Sequence, residues 1–125
     1  MSKKIMVIDD DPLVLKTVGK LLEIQGYYVT TCESGEEALS IIEQEEIDLV
    51  ITDIRMPHMD GVETINVMIE RCEKNNKDAP PFIFITGYAD EEINQRAQDL
   101  DPADFIIKPF NQIDFVESVK SALGV

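Results

Sequence analysis

Apolar residues along this chain follow two rhythms that alternate five times. Short runs at 4–8, 27–31, 49–51, 82–85 and 104–107 are rich in Val, Ile and aromatic residues and are bounded by Asp, Gly, Pro or Lys, which marks them as strands. The run at 27–31 is the least apolar and is expected near a sheet edge. Between the runs, apolar positions recur at helical spacing. A first helix is expected from Pro12, a residue favoured at the first helical position, with aspartates on the positive end of its dipole. Leu15, Val18, Leu22 and Gln25 are spaced for its inner face, with Leu21 beside them, and Gly26 is its stop signal. Ser34 and Glu37 form a capping box ahead of a short helix that turns Ala38, Leu39 and Ile42 inward.

A third helix begins near Gly61 with Val62, Ile65, Ile69 and Cys72 as its stripe and Met68 alongside. Residues 74–81 are polar and close on two prolines, which reads as a loop. The fourth helix, about 90–98, carries only Ile93 and Ala97 as apolar residues, so it is expected at the low-stability end of the domain. Asn111 can cap the last helix, whose stripe is Phe115, Val119 and Ala122, flanked by Val116 and Leu123. Strand followed by helix, five times over with short links, predicts an α/β domain with one parallel sheet and helices on both faces. No repeat, low-complexity tract or linker divides the chain, and residues 1–125 are expected to form one domain with a real core.

The residues that end these strands change the picture. Asp9 and Asp10 follow the first strand, Asp53 the third, Thr86 the fourth and Lys108 the fifth. In an open parallel sheet the strand ends share one edge, and ligands bind in the crevice outside it. Each residue has an ordinary alternative: the aspartates could cap turns or helices, as Asp11 is expected to, Thr86 could close a turn, and Lys108 could be a solvated lysine. Their common position at one edge favours a site. Several close carboxylates repel one another unless a cation sits among them, and an all-oxygen set suits Mg²⁺, which takes one or two carboxylates together with a phosphate oxygen. A carboxylate can also attack phosphorus to give an aspartyl phosphate, a reaction that chiefly needs positioning and charge neutralisation. Lys108 and the Thr86 hydroxyl could serve the phosphoryl oxygens, and Gly87 leaves room for their approach.

Charge and cysteine content narrow the function classes. With 11 basic and 25 acidic residues the net charge is −14, which argues against direct binding to nucleic acid or an anionic membrane. Cys32 and Cys72 have no metal-ligand spacing and suggest no disulfide framework, and the apolar residues before Asp9 are too few for a signal peptide or a membrane span. A cytoplasmic protein is expected. His58, the only histidine, reads as a solvated loop residue, and Met56 and Met59 as packing residues around the same loop.

The motifs Val7-Ile8-Asp9-Asp10-Asp11, Asp48-Leu49-Val50-Ile51-Thr52-Asp53-Ile54-Arg55-Met56-Pro57 with Met59-Asp60-Gly61, Ile85-Thr86-Gly87 and Ile107-Lys108-Pro109-Phe110 together resemble the receiver domain of two-component response regulators. The likeness spans essentially the whole chain. It implies a flavodoxin-like (βα)5 three-layer sandwich with strand order 2-1-3-4-5. It also implies that Asp53 accepts a phosphoryl group from a histidine kinase or a histidine phosphotransfer protein. Mg²⁺ would be bound by Asp10 directly, Asp9 mainly through water, Asp53, and the backbone carbonyl of Arg55. Thr86 and Lys108 would hold the phosphoryl group, with the Lys108–Pro109 bond cis. Thr86 and Phe105 would form the switch that alters the surface of helix four, strand five and helix five, through which an output domain or partner is recruited or a phosphorylation-dependent dimer forms. Such a module catalyses only its own phosphorylation and dephosphorylation.

Two features depart from the family pattern. Phe105 has no hydroxyl at the switch position, and Asp101-Pro102-Ala103-Asp104 replaces the usual Gly-Ala turn, so the loop into strand five and the output surface are expected to differ. Arg55 and Tyr88 lie where the family tunes phosphoryl lifetime. Two other classes compete. In a phosphatase like the haloacid dehalogenases, Asp9 would be the nucleophile, although such enzymes need a longer chain and a cap. In a flavin-binding domain of similar fold, the first loop would have to cradle a phosphate that three aspartates repel.

Overall fold

Every strand lies within a single parallel sheet, and the strand order accounts for which residues are buried. The computed structural model describes residues 2–87 and 91–125. The elements run β1 (Lys4–Ile8), α1 (Pro12–Ile24), β2 (Tyr28–Cys32), α2 (Gly35–Ile42), β3 (Leu49–Asp53), α3 (Gly61–Lys74), β4 (Phe82–Thr86), α4 (Glu91–Asp99), β5 (Asp104–Ile107) and α5 (Gln112–Leu123). The sheet order is β2-β1-β3-β4-β5 with every pairing parallel, so the expected topology is the observed one.

The central strands β3 and β4 are buried at all five positions, which is why they read as unbroken apolar runs rather than alternating ones. Their side chains divide between two cores. Met6, Ile8, Val50, Phe82 and Phe84 pack with Ala38, Leu39, Val62, Ile65, Met68 and Ala97, which places α2, α3 and α4 on one face. Ile5, Val7, Leu49, Ile51, Ile83 and Ile85 pack with Leu15, Val18, Leu22, Phe115 and Val119, which places α1 and α5 on the other.

Caps set the helix ends near the functional edge. Asp11 accepts the Leu13 N–H at 2.9 Å, Ser34 the Glu37 N–H at 3.1 Å, and Asp60 the Glu63 N–H at 2.8 Å. Asn111 accepts from both Ile113 and Asp114.

Some local expectations shift. Gln25 is exposed and caps the C-terminus of α1 instead of facing inward, because Gly26 at φ 95° already turns the chain away. The second strand runs one residue later than expected, which seats Cys32 at zero exposure beneath α2. On α3 Val62, Ile65 and Met68 are buried as expected, together with Gly61 and Thr64, while Ile69 and Cys72 are only half-buried and Lys74 still belongs to the helix. The fourth helix is observed at Glu91–Asp99 with Ala97 its one buried residue; Asp90, where it was expected to start, lies outside the described residues, as does Tyr88. Before β5, Asp101 takes a left-handed φ of 57°, a conformation glycine adopts more easily and Asp tolerates.

Candidate functional site

Parallel strands of matched register deliver their polar ends to one place. β1 and β3 pair Ile8 with Thr52, so Asp9 and Asp53 leave the sheet side by side, and β4 pairs Thr86 with Ile107, one residue before Lys108. Carboxylate oxygens of Asp9, Asp10 and Asp53 lie within 4.8 Å of one another. Lys108 Nζ stands 3.0 Å from Asp9 Oδ2 and 3.5 Å from Asp53 Oδ2.

The three carboxylates are held differently. Asp9 is 1% exposed; its Oδ1 accepts the Asp11 N–H at 2.9 Å while its Oδ2 faces Lys108. Asp10 is exposed. Asp53 is 6% exposed, and its Oδ1 accepts the Ile54 N–H at 2.8 Å, which fixes the carboxylate plane. Thr86 is buried, and its carbonyl accepts the Lys108 N–H at 2.7 Å. That bond holds the start of the loop containing Lys108, and the Lys108–Pro109 peptide is cis as expected.

Burial pushes the Asp53 carboxyl up, and the Asp9 charge adds to it. Lys108 and the Ile54 amide pull the other way, and the balance lies at about 6 against the usual 3.8. Burial acts against the Lys108 ammonium, but its hydrogen bond to Asp9 and the charges of Asp53 and Asp9 prevail and hold it above the ordinary lysine value. One lysine thus serves two buried carboxylates, and a third carboxylate borders them. This donor set fits a hard divalent cation, since a second positive charge would relieve the remaining repulsion.

The loop after β3 carries the other expected residues. Arg55 is exposed, Met56 and Met59 are half-buried against the α2–α4 core, and His58 is exposed with a left-handed φ of 68°. Gly61 closes this loop: its N–H donates to the Ile54 carbonyl at 2.7 Å, and a β-carbon there would overlap the Asp53 carbonyl oxygen. Phe105 is half-buried on β5 and packs at the margin of the α2–α4 core. Cys32, its thiol pushed up to about 12 chiefly by burial, is an inert core residue.

Sequence reasoning passed over Thr64, a buried hydroxyl in the first turn of α3. Its position three residues after Gly61 and four before Met68 places it on the inward face, a signal available from spacing alone.

A parallel 2-1-3-4-5 sheet with an acid cluster and a lysine at its carboxyl edge defines a receiver-type α/β module. The model of the response regulator receiver domain matches residues 5–120, and the chain belongs to that family. It is 32% identical over 98% of its length to the alkaline phosphatase synthesis transcriptional regulatory protein PhoP of Bacillus subtilis, covering 49% of that protein. It is 31% identical to a probable transcriptional regulator, ycf27, of Guillardia theta, over 98% of this chain and 46% of that one. The chain therefore spans about half the length of these curated relatives. A solved CheY-like receiver domain protein from Methanospirillum hungatei superposes with a TM-score of 0.89 at 30% identity, covering 99% of this chain and 95% of that one.

The chain is thus a receiver domain of two-component response regulators, a class of signalling modules that bind Mg²⁺ through an acidic pocket and partner with histidine kinases. The phosphatase and flavodoxin readings find no support. Among the described residues no helix is long and apolar enough to cross a membrane.

Proposed function

We propose that residues 1–125 act as one receiver domain in which Asp53 accepts a phosphoryl group from a histidine kinase or a histidine phosphotransfer protein in the cytoplasm. The observation that carries this reading is the placement of Asp53: a buried carboxylate with one oxygen held by a backbone N–H and the other turned toward a lysine shared with Asp9.

Mg²⁺ would be held by Asp10, Asp53 and the Arg55 carbonyl, with Asp9 acting mainly through water. The exposure of Asp10 and the double engagement of Asp9 support that division. Bound there, the ion supplies charge neutralisation and orients phosphoryl oxygens. A free oxygen of the ionised Asp53 attacks phosphorus, the P–N bond to the donor imidazole breaks, and the imidazole leaves with the bonding pair. Ile54 N–H fixes the attacking carboxylate. Lys108 offsets the charge gathered on the phosphoryl oxygens, and the Thr86 hydroxyl donates to one of them. The chain performs no other chemistry in this reading and serves as a switch. Phosphorylation draws Thr86 toward the new group, Phe105 rotates inward, and the α4–β5–α5 surface changes for an output domain, a partner or a second copy.

Incubated with Mg²⁺ and acetyl phosphate, the protein should gain one phosphoryl group by intact mass. Asp53→Asn should gain none, and chelation should stop the reaction. An unchanged mass with fresh donor, together with no binding of beryllofluoride, would overturn the proposal.

A further inference from the structure

Glycine at the start of α2 is not there for its backbone. Gly35 sits at the first position of a regular helix capped by Ser34, where any residue could adopt the dihedral angles. Space is what constrains it. A β-carbon at Gly35 would overlap Oγ1 of Thr64 and come within 3.0 Å of Sδ of Met59. Thr64 cannot readily give way, because it has zero exposure and its hydroxyl donates to the Asp60 carbonyl at 2.8 Å. That carbonyl also accepts the Thr64 N–H at 3.0 Å. Asp60 caps α3, and Gly61 beside it both donates to the Ile54 carbonyl and lies against the Asp53 carbonyl without room for a side chain. Ile54 N–H in turn holds Asp53 Oδ1.

An unbroken chain of contacts therefore runs from Gly35 through Thr64, Asp60 and Gly61 to the two peptide groups that flank Ile54. No link in it is a solvated side chain that could absorb a displacement. We infer that Gly35 and Thr64 are positioning residues for the phosphoacceptor: their contact sets how deeply the first turn of α3 sits, and so where the Asp53–Arg55 segment presents its carboxylate and carbonyl. The inference rests on the reading that the Asp9, Asp10 and Asp53 cluster takes Mg²⁺. It adds a residue from a helix that contributes nothing to the site directly. The seam acts through geometry alone, since neither residue carries charge.

The test compares Gly35→Ala, Thr64→Ala and the double variant with the parent protein. Mg²⁺ affinity is read by calorimetry, and the amide resonances of Ile54 and Gly61 are read in the metal-free protein. Gly35→Ala should weaken Mg²⁺ binding about tenfold, the low end for loss of an outer-shell partner, and shift both resonances. Removing the obstructing hydroxyl in Gly35→Ala/Thr64→Ala should return both readouts to those of Thr64→Ala alone, within about twofold in affinity. Val119→Ala, in the core on the opposite face, should lower Tm while leaving both readouts unchanged. Unmoved resonances with unchanged affinity in Gly35→Ala would overturn the inference, as would a double variant no better than the single one. Should Gly35→Ala fail to fold, a folded double variant with the Thr64→Ala affinity supports it, and a double variant that also fails to fold overturns it. A parent protein that binds no Mg²⁺ would count against the proposed function, while the metal-free resonances would still decide this inference.

Discussion

Lys108 stands 3.5 Å from the Asp53 oxygen that faces it and 3.0 Å from Asp9, so Asp53 receives the weaker share of this lysine. This division is consistent with the Asp53 carboxyl remaining at about 6 despite its lysine neighbour.

The raised value makes a prediction about stability in the metal-free protein. A carboxyl whose folded pKa exceeds its unfolded one destabilises the fold when ionised. The penalty is absent below about pH 4, grows as pH rises toward 6, and is complete above that. Asp53→Asn should therefore match the parent near pH 3.5 and exceed it at pH 8 by about 2–3 kcal/mol, from the rise of the carboxyl from 3.8 to about 6. Urea unfolding of both proteins in chelator across this pH range is the check; equal stability at pH 8 would refute the assignment of strain to Asp53.

Metal binding should reverse that penalty. At a Mg²⁺ concentration about 100 times Kd, linkage stabilises the fold by about 2.7 kcal/mol, enough to raise Tm by roughly 10 °C in a domain of this size. Asp10 is exposed. Asp10→Asn should therefore leave the metal-free Tm nearly unchanged and abolish most of the Mg²⁺-dependent rise. Calorimetric melts with Mg²⁺ and with chelator measure both quantities.

Two glycine substitutions should move stability in opposite directions. A β-carbon at Gly61 would overlap the Asp53 carbonyl oxygen, whereas one at Gly19 would meet only the methyls of Thr31 and Val29 at 3.7 Å. Gly61→Ala should cost about 2–3 kcal/mol by overpacking, and Gly19→Ala within α1 should add about 0.5–1 kcal/mol by lowering the entropy of the unfolded chain. Denaturant midpoints decide the sign of each.

The conformational response should concentrate where packing is thinnest. α4 fixes only Ala97 fully in the core, while α3 buries five residues. With Mg²⁺ and beryllofluoride, amide exchange should change most in α4 and β5 and least in β1 and β3. Because Phe105 has no hydroxyl to bond in an inward position, packing alone must favour that position. Phe105→Ala should therefore reduce the exchange difference in β5. Changes confined to α1 and α2 would contradict this mechanism.

Much of the architecture was legible because two periods alternate cleanly. β3 and β4 are buried on both faces and could be nothing but apolar runs, and each strand's polar end was visible as the residue that broke its run. The convergence of Asp9, Asp53 and Lys108 followed from the parallel topology, since strand ends share an edge. Finer features depend on distances that spacing does not encode. Gln25 fell on the inner line of α1 by periodicity, yet Gly26 ends the helix before that position can reach the core. Gly35, between Ser34 and Glu37 of the capping box, showed no such constraint in the sequence, because the atom that excludes a side chain there belongs to a helix almost thirty residues away. The depth of Asp53 was equally hidden, and with it the carboxyl's upward shift.

The shallow seat of α4 also bears on how such a domain diversifies. Six of the nine residues of α4 are exposed; Ala97 is its one buried residue, with Ile93 half-buried against the same core. Substitutions at those six positions can rewrite the vocabulary of that surface, in charge, shape or preferred partner, without disturbing a core side chain or any residue at the acidic edge. In the proposed function the chemistry is thus tied to the packed centre of the sheet, while the surface proposed to carry its message tolerates change, so the site and its address can be altered separately.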